Sequence, residues 1–228
     1  MKQIYFVTGT DTDVGKTAIS VGLIERANRA GLRTIGLKPL AAGCEQTPEG
    51  LRNQDALQLQ QAASVQLSYE QVNPVALIDP MAPHLAALRE KRRLSADRLA
   101  AFCRGALMQP ADFVLIEGAG GWRVPLNPSE NLAQLPKLLE IPVILVVGIE
   151  LGCINHALLT AEAIARDGLR LAGWVANLID PEMEGGQENI DTIRASLRAP
   201  LLGVVPRLKQ CTGARVAEYL ELPAPPDA

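Results

Sequence analysis

The chain has 228 residues, of which 48% are hydrophobic, 21% charged and 4% aromatic, and its formal net charge is −3. That length and apolar content suit one substantial core, expected as a single domain over residues 1–222 with a frayed tail at 223–228. The slight acidity excludes a basic field for nucleic acid or an anionic membrane, and so few aromatics exclude a stacking surface for single strands.

Short apolar runs alternate with longer amphipathic stretches. Residues 4–7 read as a buried strand, 18–30 as a helix stopped by Gly31, and 34–37 as a second strand. A helix comes next at 55–63, and another runs from a Ser95 cap to Met108 before Pro110. Residues 113–116 read as a strand ending at Glu117, 131–139 as a helix, and 143–147 as the most apolar strand. A helix at 154–166 stops at Gly168. Strand 171–178, helix 187–197, strand 201–205 and a terminal helix at 214–220 complete the pattern. Continuous apolar strands between helices imply a mainly parallel sheet covered on both faces. Ligands then bind at the rim formed by the strands' C-terminal ends.

Cys44, Cys103, Cys153 and Cys211 form no Cys-x-x-Cys pair, and His84 and His156 lie apart from them. A zinc site or disulfide framework is not expected, and a cytoplasmic location is. The run at 4–7 is too short for a signal peptide core or a membrane span.

The residues just past each strand carry the chemistry. After the first strand comes Gly9-Thr10-Asp11-Thr12-Asp13-Val14-Gly15-Lys16-Thr17. A strand–loop–helix turn aims backbone N–H groups and the helix dipole at an anion, as ATP binding requires. Lys16 is placed to reach the β- and γ-phosphates and the Thr17 hydroxyl to hold Mg²⁺. Five residues separate the two glycines, where the usual pattern has four. Glu117 ends a buried strand, where a carboxylate is costly unless it holds a metal. Asp55 reads equally as a metal ligand or a helix-start acid. Lys38, before Pro39, reads as a phosphoryl neutraliser or a solvated charge. Gly118 to Gly121 read as a ligand-hugging loop or a flexible turn.

Together these stretches resemble the dethiobiotin synthetases of biotin biosynthesis, within the P-loop NTPase type of fold. The resemblance rests on residues 7–17, Gly36-Leu37-Lys38-Pro39-Leu40, residues 47–56, Val72-Asn73-Pro74, Ala82-Pro83-His84, Glu117-Gly118-Ala119-Gly120-Gly121-Trp122, residues 151–157 and Gly173-Trp174-Val175-Ala176-Asn177. The longer loop is this family's own version. The resemblance implies an ATP- and Mg²⁺-dependent ligase closing a ureido ring from 7,8-diaminononanoate and CO₂ through a carbamate and a carbamic–phosphoric anhydride. Lys16 and Lys38 would be catalytic, and Thr17, Asp55 and Glu117 would hold the metal. Asp13, Val14, Gly15, Lys16, Thr17 and Ala18, with Glu117, Gly118, Ala119 and Gly120, would line the nucleotide phosphates. Asn177 would bond adenine, with Leu178, Pro206, Arg207 and Leu208 beside the base. Thr12, Lys38 and Ala42 would face the diamine. Gly152, Cys153, Ile154 and Asn155 would bind its carboxylate tail across a homodimer interface.

This chain departs from the family at Ala42, where the family usually carries Ser or Thr, and at Asp13, where Glu is commoner. His84 and Cys153 read as structural, His156 as packing or interface, and residues 89–93 as an arginine-bearing lid or, more commonly for such a run, a solvated helix end or loop. Trp122 reads as a cover for the substrate or as packing. Three rival readings are a partitioning or membrane-positioning ATPase, an amidotransferase-like synthetase and a non-enzymatic ATP-binding module. The loop lacks the first rival's extra lysine, the chain has no room for the second's glutaminase domain, and pure binding has no need of Lys38 and the paired acids.

Overall fold

The computed structural model describes residues 2–180 and 182–225. In chain order the elements are β1 (Gln3–Gly9), α1 (Lys16–Arg29), β2 (Thr34–Leu37), β3 (Leu40–Ala41), β4 (Glu45–Thr47), β5 (Gly50–Arg52), α2 (Gln54–Ala62), α3 (Tyr69–Val72), β6 (Val75–Ala76), α4 (Pro83–Arg89) and α5 (Ala96–Leu107). Next come β7 (Phe113–Glu117), α6 (Gln134–Leu139), β8 (Val143–Gly148), α7 (Cys153–Arg166), β9 (Leu171–Asn177), α8 (Gly186–Ser196), β10 (Leu201–Val205), α9 (Gly213–Val216) and a 3₁₀ turn at Ala217–Tyr219.

Six strands form one sheet in the order β10-β9-β8-β1-β7-β2, and every pairing is parallel. Alternation along β7 shows why both faces are covered. Phe113 and Leu115 pack with Ile19, Leu23 and Ile24 of α1, while Val114 and Ile116 pack with Leu99, Cys103 and Leu135 of α5 and α6. Successive side chains of a strand point to opposite faces, so a strand buried on both sides is apolar throughout.

Two expected helices are shorter than the periodicity suggested. The helix expected from 131 begins at Gln134, because the Asn131 side chain accepts from the Ala133 N–H and Asn131 bridges Pro125. That turn uses donors the helix needed. The terminal helix expected over 214–220 is a four-residue α-helix followed by the 3₁₀ turn. Four smaller features were not foreseen: the β4–β5 hairpin, the β3–β6 pair and the helices α3 and α4. At the other end of the chain, the Tyr5 hydroxyl donates to the Ala224 carbonyl at 2.8 Å. Residues 226–228 of the expected tail lie outside the described residues. Among the described residues, no helix is long and apolar enough to cross a membrane.

Candidate active site

The phosphate loop leaves the end of β1 in the middle of the sheet. Gly15 caps α1 with φ +88°, and no side chain caps that helix end. Its first N–H groups therefore remain free for an anion. An added Cβ at Gly15 would collide with the Asn177 amide nitrogen, so conformation and space both require glycine. Asp13 also holds a left-handed φ of 58°, which Asp tolerates better than most residues. The Lys16 ammonium curls over the loop and donates to the Asp11 carbonyl at 2.8 Å.

Beside the loop a polar cluster gathers from two strand ends and two helix starts. Leu37 of β2 pairs with Ile116 of β7, and Val7 of β1 pairs with Glu117. This register brings Lys38 and Glu117 together next to the loop. Lys38 Nζ donates to Glu117 Oε1 at 2.5 Å and to Asp55 Oδ2 at 2.9 Å. The Thr17 hydroxyl donates to the same Glu117 Oε1 at 2.8 Å. Glu117 is 0% exposed and Lys38 4%. Glu117 Oε2 has no hydrogen-bond partner among the described residues.

The charges act on one another. Burial alone would lower the Lys38 pKa, but the Glu117 and Asp55 carboxylates outweigh it and hold the value above the ordinary one. For Asp55, burial pushes up while the Lys38 charge and hydrogen bond win, and its pKa falls. Lys16 is pushed down to about 8, first by burial and then by repulsion from Lys38. Lys38 and Glu117 are shut away from water, where each charge needs its partner, while the Asp55 side chain is 41% exposed at the cleft edge.

Two carboxylates and a hydroxyl suit a hard, oxygen-seeking cation such as Mg²⁺, and the unpartnered Glu117 Oε2 is a spare ligand atom. Among the described residues no group of three His, Cys, Asp or Glu forms a metal cage. A cation here would take its other ligands from phosphate oxygens and water, as Mg²⁺ commonly does.

A cleft of about 910 Å³ opens over the cluster. Thr12, Asp13, Gly15, Lys16, Thr17, Lys38, Ala42, Asp55, Ala119 and Gly120 line it, each singled out from sequence. Gly152, Cys153, Ile154 and Asn155 do not; they start α7, past the end of β8 on the same rim. The Asn177 amide nitrogen donates to the Val14 carbonyl at 2.9 Å, so this side chain also grips the phosphate loop. Leu178 is tied to Val205 through its backbone, and Arg207 donates to the Ile179 carbonyl at 2.7 Å. These contacts hold Pro206 to Leu208 beside the end of β9. Trp122 is 4% exposed, stands edge-on to Phe6 and donates to Asp167, which favours its packing role.

Sequence reasoning missed several cleft residues. Asn53, Pro80, Met81 and Arg123 line it as well. Asn53 was detectable as an Asx cap before the Asp55 helix. The others reach the cleft only through loop paths that no periodicity encodes.

The AAA_26 family model, an AAA domain, matches residues 3–215. The ATP-dependent dethiobiotin synthetase BioD of Cellvibrio japonicus is 60% identical, covering 97% of this chain and 96% of that protein. Its namesake in Pseudomonas aeruginosa is 57% identical over 96% of each chain. The Escherichia coli O157:H7 protein of the same name, BioD 1, is 48% identical, covering 97% of this chain and 99% of its own length. Among solved structures, the septum site-determining protein MinD of Pyrococcus horikoshii, complexed with Mg-ADP, superposes with a TM-score of 0.58 at 14% identity, covering 98% of this chain and 87% of that one. The signal recognition particle receptor FtsY of Elizabethkingia anophelis gives 0.53 at 18% identity, covering 96% of this chain and 65% of that one. At those identities the likeness speaks for the phosphate-loop fold alone. The sequence identities, extending over nearly all of both chains, carry more: this chain belongs to the ATP-dependent dethiobiotin synthetase family.

Proposed function

We propose that this enzyme, an ATP-dependent ligase of biotin biosynthesis, closes a ureido ring on 7,8-diaminononanoate with CO₂, yielding dethiobiotin, ADP and phosphate. One amine adds to CO₂ and loses a proton, giving a carbamate. A carbamate oxygen attacks the γ-phosphorus, and ADP leaves. The second amine attacks the carbamoyl carbon of the resulting anhydride, and phosphate leaves as the ring closes.

The observation that carries this reading is the Lys38–Glu117–Asp55–Thr17 cluster set against the phosphate loop in one cleft. Phosphoryl transfer asks a protein mainly for positioning and charge neutralisation. Lys16 and the start of α1 would bind the β- and γ-phosphates. Lys38 would offset negative charge between carbamate and phosphate, held in orientation by two carboxylates. Thr17, Asp55 and Glu117 would hold Mg²⁺, which when bound shields phosphate charge and aligns the leaving group. Asp13, Val14, Ala18, Gly118, Ala119 and Gly120 would flank the phosphates. Gly118 lies where an added Cβ would meet Phe6 Cζ at 2.8 Å, so the backbone there runs flush with the β1 end.

The base would lie towards Asn177, Leu178, Pro206, Arg207 and Leu208. Asn177 spends one amide hydrogen on Val14, and its carbonyl oxygen is left to accept from an exocyclic amine. Thr12 and Ala42 would meet the diamine. Gly152, Cys153, Ile154 and Asn155 would take the carboxylate tail from a second subunit. Leu151 beside them is 93% exposed and Leu159 56%, an apolar surface that pairing of two chains would cover. Cytoplasmic residence belongs to the same reading, supported by the four free cysteines.

Purified protein given ATP, Mg²⁺, bicarbonate and the diamine is expected to form dethiobiotin and one phosphate per ring closed. ATP turnover that ignores the diamine but answers to lipid or a protein partner would overturn the reading.

A further inference from the structure

Lys38 and Asp55 lie on different segments, one just beyond β2 and the other in the first turn of α2. Beneath their ion pair runs a second, fully protein-internal connection. The Asn73 amide nitrogen donates to the Lys38 carbonyl at 2.6 Å and leans towards the Val75 carbonyl at 3.4 Å. The Asn73 amide oxygen accepts from the Tyr69 hydroxyl at 3.0 Å. That hydroxyl accepts in turn from the Asn53 backbone N–H at 2.7 Å. Asn53 caps α2, its side chain accepting from the Ala56 N–H, and Asp55 is the second residue of that helix. Asp55 Oδ2 then receives the Lys38 ammonium, and the circuit closes.

We propose that Tyr69 and Asn73 are positioning residues that fix the first turn of α2 against the Lys38 backbone and so set the Lys38–Asp55 geometry. The proposal rests on the reading that Lys38 and Asp55 serve phosphoryl transfer. Asn73 is 3% exposed and Tyr69 7%. Buried polar groups at these positions are costly unless fully bonded, and here the bonds at the two ends of the chain run to the segments bearing Lys38 and Asp55. Apolar packing already joins the same layers, since an added Cβ at Gly36 of β2 would meet Leu59 of α2 at 3.1 Å. Cohesion alone therefore has no need of the polar chain. Arg52, whose guanidinium carbon lies 4.1 Å from the Tyr69 ring centroid, holds the ring in place without using the hydroxyl. Tyr69 also opens a helix whose N-terminus is capped by a Ser68–Gln71 capping box, so its backbone is anchored independently.

The test is a double-mutant cycle in the full chain with Tyr69→Phe, Asp55→Asn and the combination. Tyr69→Phe keeps the ring and removes only the bridging oxygen. Expected is a kcat lower by about tenfold or more, because displacements well under 1 Å at a reacting pair are felt. Nucleotide Kd and diamine KM stay within about threefold, and the melting temperature falls by only a few degrees, the cost of leaving the Asn53 N–H and the Asn73 amide oxygen unpaired, so the variant stays folded in the assay. If Tyr69 acts through Asp55, the double variant is no more than about twofold slower than Asp55→Asn alone. Losses that multiply, or an unchanged kcat in Tyr69→Phe, overturn the proposal. Full turnover in Asp55→Asn alone overturns the underlying role of Asp55, and the proposal with it. Should Tyr69→Phe not fold, Asn73→Ser enters the same cycle, with the same two outcomes deciding.

Discussion

Lys38 and Glu117, at the ends of neighbouring parallel strands, face each other across 2.5 Å with almost no water access, so neither is tenable without the other. Removing one partner of a buried pair typically costs roughly 3–5 kcal/mol, because the remaining charge is stranded. Lys38→Met should therefore lower stability to chemical denaturation on that scale. It should also cut kcat by about 10²-fold or more while nucleotide affinity changes by less than about threefold, as for loss of a group acting mainly in the transition state. Urea melts and steady-state kinetics on one variant read both effects. Equal losses in kcat and nucleotide binding would remove Lys38 from the transfer step.

Lys16 gives a pH signature. Its free-protein pKa is lowered to about 8, mainly by burial. A bound triphosphate favours the charged amine and raises that value. Nucleotide affinity should be full below pH 8 and weaken as pH rises through it, and binding near pH 8 should take up a proton. Calorimetry in buffers of differing ionisation enthalpy measures the uptake. Lys16→Ala should lose both the proton uptake and most nucleotide affinity.

Gly15→Ala should abolish nucleotide binding while leaving most of the core intact. The change strains a φ of +88° and drives a methyl into the Asn177 amide that holds Val14. A titration with a fluorescent ATP analogue checks this, and retained affinity would mean that the loop relaxes without loss.

At Ala42 a hydroxyl can be restored. The side chain lines the cleft and is partly buried against the core. One hydrogen bond is worth about 0.5–1.5 kcal/mol net, so Ala42→Ser should lower the diamine KM by about 2- to 12-fold at constant kcat. An unchanged KM would place the diamine away from this loop.

Leu151→Glu should convert a two-chain species into a monomer in sedimentation. The monomer should keep nucleotide affinity and lose diamine affinity, because Gly152 to Asn155 lie outside the cleft of their own chain. A monomeric wild-type chain would remove the shared site.

The sheet and its rim were readable because strands buried on both faces are apolar throughout, and because Lys38 and Glu117 interrupt that pattern only at the strand ends. Thr17 and Asp55 could be suspected from their places at helix starts. Their convergence on one ion pair depends on the register of three strands, which no local pattern contains. Tyr69 was not singled out, and Asn73 stood out only within the Val72-Asn73-Pro74 stretch that carries the resemblance. Their bonds to Asn53 and Lys38 bridge residues 16 and 35 positions apart, distances at which composition and periodicity are silent. Asn177 was singled out for a base contact, while its grip on Val14 depends on the β8–β9 pairing that carries it to the loop. The late start of α6 was missed for a local reason, the side-chain turn at Asn131.

Placing β1 third from the β2 edge divides the working rim into two flanks. Ionic residues crowd the flank towards β7 and β2, whereas the flank towards β8 and β9 offers amides, glycines and backbone. Each flank hangs on its own strands and its own helices, and the phosphate loop is their common border. On the proposed reading, substitutions at the end of β9 and just past the end of β10 would retune which base is preferred without disturbing the charge lattice. On the same reading, changes around β2 and α2 would reshape the acceptor side while triphosphate capture survives.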